Sequence, residues 1–292
     1  MHWQKIALIG VGLLGGSLGL AIKQRKLAVK VDGHVRRTVS IGECERMGVV
    51  DHATRDVGMA VKNADLVILC TPLGKMKELT REFLPQLKKG AIVTDVGSVK
   101  GSVVEELEPL ITAAGGHFVG SHPMAGGEKT GVSAARADLF QGAICLVTPT
   151  PRSNAEAVQK LEEFWRDLGC IGVRISPSQH DDLVSRSSHL PHVVAAELAN
   201  YVLSPAHPKE QALVCANGFR DTTRIASGSP EMWRDIALAN RKNLSRVLGV
   251  FIEDMVEFRL ALDNGDAKQI EEFFENAKAR RDQWTSAGDS AE

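Results

Sequence analysis

The sequence predicts an α/β protein: a Rossmann-type, doubly wound parallel sheet in the N-terminal half, followed by an all-helical C-terminal domain. Short apolar runs alternate with segments of helical periodicity up to about residue 176, as in right-handed β-α-β units. A glycine-rich turn follows the first apolar run. Beyond Ser176-Pro177 no further strand pattern occurs, and the periodicity stays helical. We therefore expect one domain over residues 1–176 and a second over residues 177–292.

The elements of the N-terminal half follow from these patterns. Predicted strands are Lys5–Ile9, Val29–Val35, Ala64–Cys70, Ala91–Asp95, Gly116–Gly120, Ala143–Val147 and Gly172–Ile175. Predicted helices are Leu13–Gln24, Leu73–Leu87, Ser102–Ala114 and Asn154–Leu168. Because the strands alternate with helices, we expect them to form a parallel sheet with helices on both faces.

The C-terminal half ends in two predicted helices. Ser229 and Pro230 have the residue types of an N-cap and a first helical position, and they predict a long helix that ends at Gly265. Asp266 then caps a final helix reaching about Trp284. The long helix carries apolar residues on more than one side, which is typical of helices buried in a bundle or against a second subunit. We expect a homodimer through these C-terminal helices.

Composition excludes several classes of protein. The chain has 292 residues, of which 35 are basic, 36 acidic and 43% hydrophobic, so it is globular rather than disordered. The balanced charge and 5% aromatic content argue against nucleic acid as a partner. The uncharged stretch over residues 6–22 is too rich in glycine for a membrane span. Five widely spaced cysteines predict buried, reduced thiols and a cytoplasmic location.

A G-x-G-x-x-G turn follows the first predicted strand and opens the first predicted helix. In such a turn the first glycine allows the tight bend, and the second lets a pyrophosphate approach the backbone. The third allows close packing of helix on strand. This context predicts a dinucleotide site rather than a purely structural turn. The predicted cofactor-binding residues are Gly10, Gly12, Leu13, Leu14 and Gly15, with Thr71 and Pro72 after the strand Ala64–Cys70.

The end of the second predicted strand favours NADP over NAD. An acidic residue there binds the ribose hydroxyl of NAD, whereas arginine accommodates the 2′-phosphate of NADP. Asp32 lies too early in the strand, and Val35 occupies the position where the carboxylate is expected. Arg36 and Arg37 follow at once and suit phosphate contact. The alternative is that both arginines are solvated loop charges.

Four further segments combine into a specific pattern. They are D-x-G-S-x-K at residues 95–100, G-S-H-P-M-A-G at 120–126, S-H-L-P-H at 188–192 and F-x-D-x-T-R at 219–224. With the glycine turn, this set resembles the prephenate/arogenate (cyclohexadienyl) dehydrogenase family of tyrosine biosynthesis, from about Ile6 to Trp284. The resemblance implies oxidative decarboxylation of a cyclohexadienol, in which hydride leaves the carbon that bears the ring hydroxyl.

Two residues are expected at the reacting hydroxyl. His122 follows a predicted strand, where ligands of open α/β sheets bind, and a neutral imidazole there can accept the hydroxyl proton. The resemblance makes Ser98 a hydrogen-bond partner of the hydroxyl and of His122. From the residues alone, Ser98 also suits the N-cap of the next helix. Lys100 is expected to be a solvated charge, with a structural contact at the site as the alternative.

The resemblance also implies the residues that hold the rest of the substrate. Arg224 is the predicted carboxylate clamp, since a guanidinium binds two oxygens in a fork, and Asp221 is expected to orient it. Ser188 and His192 are predicted to contact the substrate side chain. Gly127 departs from the family, which often has threonine there, and leaves more of the local polarity to Glu128.

Other functions remain open at this point. A β-hydroxyacid or imine reductase has a similar two-domain architecture, and a dinucleotide-sensing module would bind the cofactor without catalysis. A metal site is not expected at Ser188–His192, because no acidic partner stands at H-E-x-x-H spacing and the chemistry needs no metal.

Overall fold

The computed structural model describes residues 3–127 and 129–289. The strands are β1 (Trp3–Ile9), β2 (Ala28–His34), β3 (His52–Thr54), β4 (Leu66–Leu69), β5 (Ile92–Asp95), β6 (His117–Phe118), β7 (Gly120–Pro123), β8 (Ile144–Thr148) and β9 (Ile171–Arg174). The helices are α1 (Leu13–Gln24), α2 (Val39–Arg46), α3 (Val57–Val61), α4 (Leu73–Phe83), α5 (Gly101–Ala113), α6 (Ala155–Asp167), α7 (Pro177–Val184), α8 (Leu190–Val202), α9 (Asn217–Thr223), α10 (Pro230–Ala239), α11 (Arg241–Asn264) and α12 (Ala267–Asp289).

The predicted fold class is confirmed. β1 to β6 form a parallel sheet in the order β3-β2-β1-β4-β5-β6. The strand order changes direction between β1 and β4, because β2 and β3 lie on one side of β1 and β4 to β6 lie on the other. This is the switch point where ligands of such sheets bind. In β1, Ile6 and Leu8 pack into the hydrophobic cluster on one face, while Ala7 and Ile9 pack into the cluster on the other. Burial on both faces explains why residues 6–9 of β1 and all of β4 are continuous apolar runs.

The expectation that the later strands extend the parallel sheet is wrong. The chain leaves the main sheet after β6, and β7 pairs antiparallel with β8 in a separate three-stranded sheet completed by β9. His122 therefore lies within β7 rather than at the end of a strand of the main sheet. The short strand β3 was not predicted, because three residues are too few for a periodic signal.

The predicted helix from Pro230 to Gly265 is two helices. Ser229 caps α10 as expected, its hydroxyl accepting from the amide of Met232. The helix breaks at Asn240, whose side-chain amide donates to the carbonyl of Asp181 at 2.8 Å. Asparagine weakens a helix interior because its side chain competes for hydrogen bonds, and here its tertiary contact accompanies the break.

The contact pattern divides the chain into a unit that ends at Arg241 and a unit that begins at Lys242. The second unit contains the remainder of α11 and all of α12, joined through Gly265 and capped by Asp266 as expected. Within it, the ring of Phe258 lies 4.5 Å from that of Phe273. The domain boundary near residue 176 stays a prediction.

Two further features bear on the environment of the protein. Within residues 3–127 and 129–289, none of the helices has the length and apolarity that a membrane span requires. The five cysteines, all in the described part of the chain, are free thiols.

Candidate active site

The glycine turn forms a cradle of the shape that a dinucleotide needs. Gly10 has a φ of 100°, and a Cβ there would lie 2.8 Å from the Cγ2 of Thr71. A Cβ at Gly15 would lie 2.0 Å from the carbonyl oxygen of Gly10. At Gly12, by contrast, a Cβ would meet no described protein atom within 4 Å, so this position opens onto free space at the start of α1. The amino end of a helix and an open glycine suit a pyrophosphate.

The hydroxyl of Thr71 supports the same interpretation. Its Oγ1 is buried and has no hydrogen-bond partner among the described residues, although it lies at the switch point beside Gly10. A buried polar atom without a partner is unfavourable unless a ligand or water satisfies it. The turn and Thr71 therefore fit the predicted cofactor.

Replacing Gly12 by alanine is expected to weaken cofactor binding without lowering the stability of the fold. The added methyl group fills the space that a pyrophosphate would approach, so we expect the KM for NAD and for NADP to rise about tenfold, equivalent to about 1.4 kcal/mol. Thermal unfolding should change little, since no described atom is displaced. Gly42→Ala, which also meets no described atom, is the matched control. An unchanged cofactor KM in Gly12→Ala would contradict the assignment of the cradle.

At the end of β2 the charges are basic. The Asp32 carboxylate is buried within the strand and pairs with the ammonium groups of Lys5 at 2.7 Å and Lys30 at 3.0 Å. Val35 points into the core, and Arg36 and Arg37 follow it on the surface. Arg55 follows β3, whose Thr54 pairs with His34 at the end of β2. Three arginines therefore stand near the ends of these two neighbouring strands.

Lys100 is not the solvated charge expected from the sequence. Its side chain is fully buried, and its ammonium group pairs with the equally buried carboxylate of Asp95 at the end of β5. Charged groups withstand such burial only when they are paired. The Ser121 hydroxyl donates to the carbonyl of Asp95 at 2.7 Å, which ties the end of β5 to β7. The loop that carries Ser98 thus begins beside the strand that carries His122.

Ser98 does not cap the helix that follows it. The Asp181 side chain, from α7, caps this helix instead, since its Oδ1 accepts from the amide of Lys100 at 2.7 Å and its Oδ2 from the amide of Gly101 at 2.9 Å. A carboxylate is favourable at the amino end of a helix, where the backbone dipoles leave positive charge. The sequence suggested a cap directly before the helix. The residue that accepts from the free backbone amides at the start of α5 lies about 80 positions later in the chain.

His122 is the first member of a buried chain of side chains. Its Nδ1 lies 2.9 Å from the Nε2 of His180, and the Nδ1 of His180 lies 2.8 Å from the Oδ1 of Asp181. His122 is 7% exposed, His180 0% and Asp181 6%, so bulk water does not separate the three. The sequence analysis proposed His122 as a candidate, but it did not identify His180 as its partner.

These groups have shifted pKa values. Burial lowers the pKa of His122 well below its ordinary value of 6.5, and the nearby His180, Lys100 and His189 lower it further. Burial also lowers the pKa of His180, although the hydrogen bond to Asp181 partly opposes this. Burial opposes ionisation of Asp181, but hydrogen bonds from His180 and two backbone amides outweigh it and lower its pKa. At neutral pH both imidazoles are therefore uncharged and Asp181 is ionised.

Ser188 and His189 lie in a π-helical turn, Ser185–His189, inserted between α7 and α8. Such turns are rare and occur often at functional sites. His189 is buried, with its Nδ1 3.2 Å from the Asn240 side-chain amide, and burial lowers its pKa to about 4. His192 donates from Nδ1 to the carbonyl of Ser188 at 2.9 Å, and its ring stacks on Trp233 at 3.7 Å.

Arg224 and Asp221 belong to a neighbouring segment. Asp221 lies in α9, and Arg224 begins the short 3-10 turn Arg224–Ser227; both residues lie outside the buried core. This segment packs against α8, the helix of His192. Gly127 lies beside the glycine turn, since a Cβ there would be 3.8 Å from the Cδ2 of Leu13. Glu128 lies outside the described residues.

Several residues of this region were given no role in the sequence analysis, although Asp95 stands in the motif at residues 95–100. They are Asp95, His180, Asp181, Trp233 and Asn240. The adjacent pair His180-Asp181, just after the capping box of Ser176 and Gln179, was the available signal, because histidine beside a carboxylate is a common way to hold an imidazole. Trp233 also carries a buried Nε1–H with no hydrogen-bond partner among the described residues.

Comparisons with known proteins agree on one family. Residues 18–174 match the model for the prephenate dehydrogenase nucleotide-binding domain, and residues 176–276 match that for the prephenate dehydrogenase dimerization domain. The chain is 35% identical to the cyclohexadienyl dehydrogenase of Zymomonas mobilis, over 95% of each chain. It is 34% identical to the prephenate dehydrogenase of Bacillus subtilis, over 95% of this chain and 75% of that protein.

A solved structure is similar over nearly the whole chain. It is the prephenate dehydrogenase of Aquifex aeolicus in complex with hydroxyphenyl propionate and NAD+, with a TM-score of 0.89 and 30% identity. The match covers 95% of this chain and 97% of that one.

Proposed function

The chain belongs to the prephenate dehydrogenase family, and from this premise we propose how its residues carry out the reaction. It is an oxidoreductase for the oxidative decarboxylation of prephenate or arogenate, with hydride transfer to NAD or NADP. The product is 4-hydroxyphenylpyruvate from prephenate and tyrosine from arogenate. The matches to both family models carry this conclusion, and they disfavour a β-hydroxyacid or imine reductase.

His122 is the proposed acceptor of the ring hydroxyl proton. Because its pKa is lowered, the imidazole is neutral at pH 7 and offers a lone pair without prior deprotonation. A bound nicotinamide supplies the acceptor for the hydride that leaves the same ring carbon. Loss of the hydride and of the hydroxyl proton leaves a carbonyl on the ring. When the carboxylate departs as CO2, the electron pair of its bond to the ring carbon restores aromaticity, and the ring oxygen takes up a proton again. Ser98, on the loop after β5, is proposed to hydrogen-bond the reacting hydroxyl.

The helical segments are proposed to hold the rest of the substrate. Arg224 binds a carboxylate through its two-pronged guanidinium, and Asp221 orients it. Ser188 and His192 contact the side chain of the substrate. His192 suits this role because its Nδ1–H is engaged by the Ser188 carbonyl, which leaves the Nε2 of the neutral ring as an acceptor. Glu128 is proposed to contribute polarity beside Gly127.

We propose NADP as the preferred cofactor. The only carboxylate of β2, that of Asp32, is engaged by two lysines within the strand, while Arg36 and Arg37 follow the strand end and Arg55 follows the neighbouring strand. A 2′-phosphate would meet these guanidinium groups, whereas a ribose hydroxyl would lack its usual acidic partner.

A kinetic assay with both substrates and both cofactors tests the function and the cofactor together. Reduction of cofactor with prephenate or arogenate supports the function, and we expect a lower KM for NADP than for NAD. The double variant Arg36→Ala/Arg37→Ala should raise the KM for NADP about tenfold or more, with little effect on NAD. The control is Arg174→Ala, which removes an arginine of β9 that is paired with Glu162 of α6. A lower KM for NAD in the unaltered protein would contradict the preference.

We propose that the protein is a homodimer through its C-terminal helices, in a reducing, cytoplasmic environment. The match of residues 176–276 to a dimerization domain supports the dimer, and the family models also support a boundary near residue 176. Within the second unit, α11 exposes an apolar set, namely Val250, Ile252, Met255, Val256, Leu260 and Leu262. Exposed apolar surface of this extent is typical of interfaces. Light scattering should give twice the 31.5 kDa chain mass.

A further inference from the structure

His180 and Asp181 are not assigned a role by the proposed reaction, yet they stand directly behind His122. The three side chains are joined by contacts of 2.9 Å and 2.8 Å and are nearly inaccessible to water. Asp181 is itself held by the amides of Lys100 and Gly101 at the amino end of α5. At one end of this hydrogen-bonded chain, Asp181 is fixed by the backbone of α5. At the other end is His122, the proposed base.

The direction of each hydrogen bond follows from the fixed end. An ionised carboxylate can only accept, so the Nδ1 of His180 must carry the proton that it donates to Asp181. A neutral imidazole has one N–H, so the Nε2 of His180 is an acceptor. The Nδ1 of His122 must then carry the proton of that ring, and its Nε2 carries the lone pair.

We propose that His180 and Asp181 are positioning residues that hold His122 in its Nδ1–H tautomer, so that Nε2 is the atom that takes the hydroxyl proton. The catalytic consequence rests on the proposed function, whereas the tautomer itself is a property of the free protein. A second residue that orients a histidine in this way is a common requirement of acid–base sites.

The same hydrogen-bonded chain explains how a buried His122 can become charged during the reaction. When Nε2 takes up a proton, the Nδ1–H already points at an acceptor on His180, which in turn faces the Asp181 carboxylate. The positive charge is thus compensated by hydrogen bonds instead of standing alone in a low-dielectric site.

The other charged and titratable residues near His122 have partners of their own and do not hydrogen-bond its Nδ1. Lys100 is engaged by Asp95, and His189 contacts Asn240, which also donates to the backbone carbonyl of Asp181. Asn240 thus holds the backbone beside His180 from a third helix. Within the described part of the chain, Asp181 is the carboxylate in direct contact with His180.

Two substitutions at His180 separate its two hydrogen bonds. In His180→Asn the amide can still reach Asp181 but is too short to contact His122. In His180→Gln the longer amide can place its oxygen where Nε2 of the imidazole was, and so accept from the Nδ1–H of His122. We expect the asparagine variant to lose control of the tautomer and the glutamine variant to keep most of it. His52→Asn, at an exposed histidine of β3, is the matched control.

The first readout is nitrogen NMR of the free protein with ¹⁵N-labelled histidine. The chain has nine histidines, and the signals of His122 are those that disappear in His122→Asn. We expect the neutral ring of His122 to be in the Nδ1–H form in the unaltered protein and in His180→Gln. In His180→Asn it should shift towards the Nε2–H form. An Nε2–H ring in the unaltered protein, or no shift in a folded His180→Asn, overturns the proposal.

The second readout is kinetic. We expect His180→Asn to lower kcat at least about tenfold with the KM for substrate within about twofold, and His180→Gln to recover most of the loss. A purely structural role would instead lower the thermal midpoint and affect both variants alike. A tautomer shift without loss of kcat overturns the catalytic consequence. If the unaltered protein oxidises neither prephenate nor arogenate, the proposed function fails, and the NMR result still decides the tautomer.

Discussion

Replacing His122 by asparagine is expected to lower kcat by roughly 10²-fold or more, because a positioned acid–base residue contributes about 10²- to 10⁴-fold. Asparagine has a similar polar reach but cannot take up a proton at neutral pH. Cofactor affinity, measured by titration of the free enzyme, should be retained, since the glycine cradle of α1 is a separate part of the structure. His52→Asn again serves as the control, and near-normal turnover in His122→Asn would remove the imidazole from the mechanism.

The pH dependence of the unaltered enzyme gives an independent check of the same residue. Burial holds the pKa of His122 well below 6.5, so the neutral, active form persists as the pH falls through 6.5. Activity should decline only when the pH falls through the lowered pKa of the folded protein. A kcat/KM profile whose acidic limb is centred at or above pH 6.5, with the protein still folded, would contradict a buried, neutral His122 as the required base.

Replacing Arg224 by alanine is expected to raise the KM for the substrate far more than it lowers kcat. A charge-assisted hydrogen bond contributes about 1.5–3 kcal/mol, so losing the carboxylate clamp should raise KM by about 10- to 100-fold. This result is expected because the carboxylate is held in the ground state and in the transition state alike, which is uniform binding. The measurement is a substrate titration at saturating cofactor.

Two further variants make the Arg224 experiment specific. Arg224→Lys keeps the charge but loses the fork, so its KM should lie between those of the unaltered enzyme and Arg224→Ala. Arg174→Ala tests the general effect of removing a surface arginine, here one that is paired with Glu162. An unchanged KM in Arg224→Ala would eliminate the clamp and leave the recognition of the carboxylate to another residue.

Local sequence signals were sufficient for the longer strands and helices of the N-terminal half, such as β1, β4, α1 and α6, but not for the short elements β3, α2 and α3. The apolar run of β1 indicates burial on both faces of a sheet. The spacing of Gly10, Gly12 and Gly15 indicates a backbone that bends tightly and leaves open space at Gly12. These signals are readable because each depends on residues within one strand, turn or helix. Local patterns could not reveal that β7 leaves the main sheet, because its pairing with β8 is a contact between segments that are distant in the sequence.

The sequence by itself determined the α/β class, the glycine cradle and the identity of His122 and Arg224 as candidates, because motif and periodicity are encoded in neighbouring positions. Only the tertiary structure decided what surrounds them. It buried Lys100 against Asp95, made Asp181 the cap of α5, and set His180 behind His122 although 58 positions separate the two histidines. The physical reason is that hydrogen bonds between buried side chains depend on distance in space, which no spacing along the chain specifies.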